Sequence, residues 1–573
     1  MTSLKTIAVL DEKDLADGQV KQVPFEDGQV LLARTGDKVH ATSAYCTHYG
    51  APLAKGVFTS DGRIVCPWHG ACFNVCTGDI EDAPAPAALH SFKTSISNGK
   101  IHVTANPSHT LKDNMSRPSK LISNTLEPSP TPGERGLIIV GGGAGAFHTI
   151  ESAREHGYVK PIVLLSKEPY LPIDRTKLSK AIITDPSKIE WKNAAELKIR
   201  YGVTVRTNVT VTSISPKEHY ITLESNETLA YDNLVLAPGA IPRVLPIDGL
   251  TTGDSQLKEN VLTFRGVGDA VKVENAATEG KTAIVIGSSF ISMEVAVAIA
   301  KKKLAAIHII GMEKAPFEAN LGTEVGTGIM EYLKSNNPNL KFYMSSTVSR
   351  VIPDEADEKR VKGVVVKTKG EDGSESETEL TGDFVLMGVG VRPATDFLKG
   401  TLELAKDGGV QVDEYLRVKG VEDVYALGDI AIYPQLPTGE SRRVEHWNVA
   451  SNHGRTVGKA LATPNDAQPF VKVPVFWSAL GQQLRYCGVG NGFEEVIVKG
   501  EPSQMKFIAY YVKENKIVAV ACMQNDPVMT KASELLRLGL MPTPEEVKGG
   551  KDLLSIDIST VGTKPKVEKV TAA

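Results

Sequence analysis

Cys46 and His48 stand two positions apart in "CTHYGAPL", and Cys66 and His69 stand three apart in "CPWHG". So tight a Cys–His pair does not read as half of a disulfide beside a core histidine. Thiolate sulfur and imidazole nitrogen are ligands of transition metals, and two such pairs aim four donors at one inorganic centre. A structural zinc ion takes two cysteines and two histidines tetrahedrally. A two-iron cluster can instead carry two thiolates on one iron and two imidazoles on the other. In the second case Cys46 and Cys66 hold one iron and His48 and His69 the other, on short loops at hairpin tips that clamp the cluster from opposite sides. The chain has 6 cysteines in 573 residues, and Cys46, Cys66, Cys72 and Cys76 share one short stretch. That is no disulfide framework and points to metal chemistry in a reducing compartment. Cys72 and Cys76 read as core or loop residues, not as ligands.

A second chemistry begins at "LIIVGGGAGAFHT", an apolar strand, a glycine turn and a helix start. Gly141 and Gly143 let a pyrophosphate approach backbone N–H groups at the helix N-terminus, and Ala146 takes the third, packing place. "TAIVIGSSF" repeats the strand and turn, with Ser289 and Ser292 replacing the second and third glycines after Gly287. Small residues there still permit a close approach, so two dinucleotide sites on doubly wound parallel sheets are predicted.

Elements must position these groups. Residues 1–106 carry short apolar runs broken by Asp-Gly and Asn-Gly, with Asn98-Gly99 as a hairpin signal, and predict an all-β domain. Residues 107–134, rich in Ser, Pro and Asn, read as a linker. Strands then alternate with helices. The predicted fold is multidomain: the all-β domain, two Rossmann-like α/β domains, and a C-terminal α+β domain with a loose tail over 466–573. The first α/β domain is split, 135–255 and 391–465, around the second at 256–390. A formal net charge of -4 gives no basic footprint for nucleic acid. The longest apolar run, Thr282–Ala300, contains Gly287, three serines and Glu294, and reads as strand, turn and helix, not as a membrane span. No secretory or transit signal is visible at the N-terminus, so the cytosol is the expected compartment.

These segments resemble two families joined in one chain. "CTHYGAPL" and "CPWHGACFNVCTG" resemble the ligand boxes of Rieske domains, which implies a [2Fe-2S] cluster on Cys46, His48, Cys66 and His69. High-potential members have an extra cysteine in each box and a serine after the box glycine. Ala51, Trp68 and Ala71 stand there, so the resemblance is to ferredoxin-type, low-potential domains, whose reduced cluster lacks those stabilising donors. "LLSKEPYLPIDRTKLSK", "LVLAPGAIPR", "VEDVYALGDIA" and "RRVEHWNVASNHGR" resemble flavoprotein reductases of the ferredoxin-reductase and apoptosis-inducing-factor type. That resemblance implies FAD contacts from Gly141, Gly143, Ala144, Gly145, Lys167, Glu168, Arg175, Val211, Ala237 and Gly239, with Glu168 as ribose acceptor and Asp429 on the ribityl chain. Glu445, His446, Trp447 and Trp477 would surround the isoalloxazine. NAD(P)H would contact Gly287, Ser289, Phe290, Glu294 and Gly390, and a catalytic ion pair, Lys180 with Glu294, would sit beside the flavin.

The function that the resemblance implies is electron transfer from NAD(P)H through FAD to the fused Rieske cluster and on to an acceptor the sequence does not name. No C-x4-C pair follows Gly145, so the electron exit used by disulfide reductases is missing. Two alternatives remain in the family: an NADH-responsive signalling or assembly protein with little turnover, and the reductase component of an oxygenase-type system. Four intact ligands argue against a pure scaffold. Mitochondrial association and a homodimer are compatible with the resemblance. At the end of "AAIHII" the ribose-acceptor position falls on Gly311, with Glu313 two residues on, so NADPH is expected to be weakly excluded.

Overall fold

The computed structural model describes residues 4–118, 135–252, 256–435 and 439–559. The N-terminal unit is all β. Its six-stranded antiparallel sheet runs Lys5–Asp11, Lys100–Ala105, Ser91–Ser97, Lys38–Ser43, Gly28–Thr35, Val20–Phe25. The hairpin at Asn98-Gly99 pairs Ser97 with Lys100, and both turn residues have positive φ, +50° and +69°. That double left-handed turn matches the twist of its strands, which is why Asn-Gly occupies it. A smaller sheet, Val57–Phe58, Arg63–Val65, Cys72–Asn74 and Ile80–Asp82, carries the second ligand box between its middle strands.

Of the expected linker, residues 119–134 lie outside the described residues, whereas 107–118 pack onto the β unit. Thr110 is buried, His109 stacks on His90 at 4.0 Å, and Arg117 pairs with Asp79. The composition of this stretch suited a tether, but it folds into two short 3-10 turns, Pro107–Thr110, capped by the Asn106 side chain, and Lys112–Asn114.

Two parallel five-stranded sheets follow. The first orders Val203–Arg206, Ile162–Leu165, Leu137–Val140, Asn233–Leu236 and Val424–Ala426, so its last strand arrives from beyond the second sheet. The second orders Val261–Leu262, Phe384–Met387, Thr282–Ile286, Ala306–Ile310 and Leu340–Tyr343. These strands are apolar on both faces because both faces are covered; on one face of the second sheet the cover is the antiparallel sheet Ser346–Pro353, Val361–Lys369 and Glu375–Thr381, whose Val364, Val366 and Leu380 cluster with Ile284, Ile286, Val385 and Met387. The helix Ala144–Glu155 packs closely on Trp447–Ala462. A Cβ at Gly454 would stand 2.3 Å from the Gly145 carbonyl oxygen, so glycine is what permits this contact.

The C-terminal unit is a five-stranded antiparallel sheet under the helix Val528–Leu538. That helix is amphipathic, yet Lys531, Glu534 and Arg537 on its polar face are buried. The β unit covers them. Thr530 Oγ1 donates to the Cys66 carbonyl at 3.0 Å, and Arg63 lies 3.6 Å from Glu534 and 2.6 Å from Asp82. The helix Trp447–Ala462 grips the same unit from the other side. Asn452 accepts from Ala83 N at 2.9 Å, and Arg455 donates to the Ile80 carbonyl at 2.7 Å. Apolar packing is continuous across this junction, with Val57, Val65 and Cys72 in one cluster with Val475, Cys487 and Val528. The β unit is thus docked by a core, not hung on a tether. Among the described residues, no helix is long and apolar enough to cross a membrane.

Candidate functional site

The two ligand boxes fold alike. Cys46 N donates to Ala51 O at 2.9 Å and Cys66 N to Ala71 O at 2.7 Å, while Gly50 N and Gly70 N return to the cysteine carbonyls. Gly50 and Gly70 both have φ +73°, which a side chain would resist. Each loop therefore turns its cysteine inward and its histidine to the tip. Cys46 and Cys66 are buried with their thiols side by side. Burial pushes the Cys46 thiol up, and the neighbouring Cys66 adds to it. The rings of His48 and His69 meet edge to face at 4.9 Å between centroids. Burial drives His48 down to about 4 and His69 well below the ordinary imidazole value.

Both nitrogens of His48 are buried without a hydrogen-bond partner, as expected of a side chain whose polar atom is meant for something else. The four donors sort into a thiol pair and an imidazole pair, the partition a two-iron cluster needs. The residues fit that group. Cys72 is buried in the apolar junction; Cys76 is exposed, its Sγ 3.2 Å from His40.

The glycine turns open onto one cavity of about 760 Å³. Every residue that the resemblance assigned to FAD or nicotinamide lines it, Gly287 excepted. Lys180 and Glu294 pair at 3.0 Å. Glu294 also accepts from Ser179, from Ser478 at 2.6 Å and from the Ala479 N–H at 3.3 Å, so its carboxylate is fully engaged and fixes the lysine. Glu168 is less free than expected. Arg175 donates to both its oxygens, at 2.7 and 2.6 Å, and Tyr170 to one at 2.8 Å, and this pairing holds its carboxyl below the usual range against the opposing effect of burial. Asp429 pairs with Arg265 at 2.6 Å. His446 is half-buried, and desolvation pushes it down to about 4, with Nδ1 unpartnered. These cradles and donors suit a dinucleotide.

One indole joins the two chemistries. Trp477 lines the cavity, and its ring lies 4.7 Å from His69, 5.7 Å from His48 and 6.0 Å from Trp447. The histidine end of the metal centre therefore faces the cavity. Tyr49, stacked on His48 at 3.7 Å, donates to Asp174 at 3.1 Å, a second bridge between the units.

Ser179, Ser478, Arg265, Tyr170, Asp174 and Thr530 were not anticipated. Tyr170 acts on Glu168, two residues away, and each of the others acts through a partner distant in sequence. Near the nicotinamide specificity position, Glu313 reaches back to the second turn and accepts from Ser288 Oγ at 3.0 Å, whereas a Cβ at Gly311 would stand 2.5 Å from that same oxygen.

Three family models match: a Rieske [2Fe-2S] domain over residues 5–93, a pyridine nucleotide-disulphide oxidoreductase over 135–454, and a reductase C-terminal domain over 475–553. Human apoptosis-inducing factor 3 is 34% identical over 546 residues, covering 94% of this chain and 85% of that protein. Rhodocoxin reductase of Rhodococcus erythropolis is 26% identical, covering 72% of this chain and 91% of that protein. A solved ferredoxin reductase from Rhodopseudomonas palustris shares the fold, with TM-score 0.64 at 24% identity over 72% of this chain and 97% of that one. Three domains in this order, with a near full-length relative, identify the chain as a Rieske-containing, apoptosis-inducing-factor-like member of the pyridine nucleotide-disulphide oxidoreductase family, an NAD(P)H-dependent oxidoreductase.

Proposed function

We propose that this oxidoreductase moves electrons from NAD(P)H in the cavity, past Trp477, to a Rieske cluster on Cys46, His48, Cys66 and His69, and then to an external one-electron acceptor. The observation that carries the reading is the Trp477 ring, which borders the cavity and stands 4.7 Å from His69. Bound FAD supplies the conversion between the two-electron chemistry of nicotinamide and the one-electron chemistry of the cluster.

The chain's own residues do the rest. Backbone N–H groups after Gly141 receive a pyrophosphate at the start of Ala144–Glu155. Glu294 holds the Lys180 ammonium in place at the cavity wall, where a fixed cation costs no reorganisation during reaction. Asp429 offers a strong acceptor to polyol hydroxyls. Trp447, Trp477 and Phe476 wall the cavity with apolar rings and limit water. The thiol pair holds the buried end of the cluster, and the imidazole pair turns toward the donor side. The donor set favours a reducing compartment, the cytosol, with mitochondrial association carried by kinship to apoptosis-inducing factors.

The test is anaerobic NADH titration with optical and EPR readout. Wild type should show flavin bleaching followed by a rhombic reduced-cluster signal. His69→Ala should lose that signal and keep flavin. Purified protein with one zinc and no acid-labile sulfide would sink the reading. Lys180→Ala should slow flavin reduction at least tenfold in stopped flow and leave cluster content unchanged; an unaltered rate removes Lys180 from the reaction.

A further inference from the structure

We propose that Arg485, supplied by the C-terminal domain, is a positioning charge for the cluster that makes it a better electron acceptor. The inference rests on the cluster reading above and deepens it. Arg485 lies on the strand Gln483–Gly488, and its register partner on Val475–Ala479 is Trp477. Residues directly opposite in an antiparallel pair project from the same face. Trp477 meets His69 on that face, so Arg485 projects toward the same tip loop.

Arg485 is only 5% exposed. Its Nε makes no hydrogen bond and faces Asp526 at 3.5 Å, while its Nη1 donates to Gln483 at 3.1 Å. The two lysines near the imidazole pair are each held by a carboxylate. Lys177 pairs with Asp174 at 3.5 Å, and Lys180 with Glu294 at 3.0 Å. Asp526 compensates Arg485 less well, because its side chain is 32% exposed against 6% for the arginine, and water screens the exposed partner more.

Reducing the cluster adds one negative charge. A permanent cation in a poorly solvated place stabilises that state, and arginine keeps its charge when buried. The box itself lacks the hydroxyl that would do this locally, since Ala71 follows Gly70. Charge from the opposite end of the chain takes over from a missing neighbour.

The experiment is an EPR-monitored redox titration of the holoprotein as wild type, Arg485→Gln, Asp526→Asn and the double variant. Arg485→Gln should lower the cluster's reduction constant about tenfold, which is 59 mV for one electron. Asp526→Asn should raise it, and the double variant should return toward wild type. A merely structural arginine would lower Tm and leave the potential in place, which overturns the proposal. If Arg485→Gln fails to keep its cluster, Asp526→Asn decides: no rise overturns the proposal. A wild type with no cluster signal overturns the functional reading and this inference with it, whereas an intact signal with unmoved potentials overturns only the inference.

Discussion

The two glycine turns have the same backbone on different letters. Gly141 has φ +113°, and a Cβ there would stand 2.0 Å from the Ala237 carbonyl oxygen; Gly287 has φ +105°, and a Cβ would stand 2.4 Å from that of Gly388. At the next position the first turn has Gly143 with φ -86° and the second has Ser289 with φ -90°. Both are extended values open to any residue, and a Cβ at Gly143 would meet nothing within 4 Å. At the third position Ala146 is fully buried, while Ser292 donates to Gly388 O at 3.1 Å. The fold requires glycine only where the turn is left-handed and another strand's backbone crosses closely. The serines of the second turn therefore do not weaken it.

This comparison can be broken by experiment. Gly141→Ala should have the largest effect. A left-handed alanine costs about 1–3 kcal/mol in backbone strain, and the carbonyl contact adds to it. The variant should purify with FAD occupancy reduced at least tenfold and its cluster signal intact; normal flavin absorbance would show that the turn tolerates a side chain. Gly287→Ala should act on the other ligand alone, raising the Kd for NADH about tenfold while flavin stays bound. Loss of flavin in that variant would mean that the turns are not independent.

Smaller effects sharpen the contrast. The second turn has Glu313 bound to Ser288, and a carboxylate there repels a 2′-phosphate. Glu313→Gln should reduce the NADH-to-NADPH ratio of kcat/KM roughly tenfold, about 1.4 kcal/mol, chiefly by improving NADPH. An unchanged ratio would place specificity elsewhere. Ser289→Gly should change KM for NADH by less than about twofold, since its φ already suits any residue. A large gain would show that the serine was a compromise.

The two Cys–His boxes and the first turn were legible because local geometry dictates them. Cys46-x-His48 can turn one donor inward and the other to the tip only on a tight loop, and φ +113° at Gly141 excludes most side chains. Residues 107–118 were misread because serine and proline serve equally in a tether and in capped 3-10 turns. Glu313 was left open because two residues past a strand end give no direction to a side chain.

By itself the sequence determined which chemistries the chain contains: a thiol and imidazole ligand set, two dinucleotide turns, and the absence of a disulfide exit. Those follow from residue type and spacing over a few positions. Only the tertiary structure decided how they are coupled. It turned the imidazole pair toward Trp477, set Arg485 opposite that indole, and buried Lys531, Glu534 and Arg537 on a helix face that its pattern alone would assign to water. Such contacts join residues hundreds of positions apart. They depend on the shape and charge of two finished surfaces, and no local period or propensity encodes that.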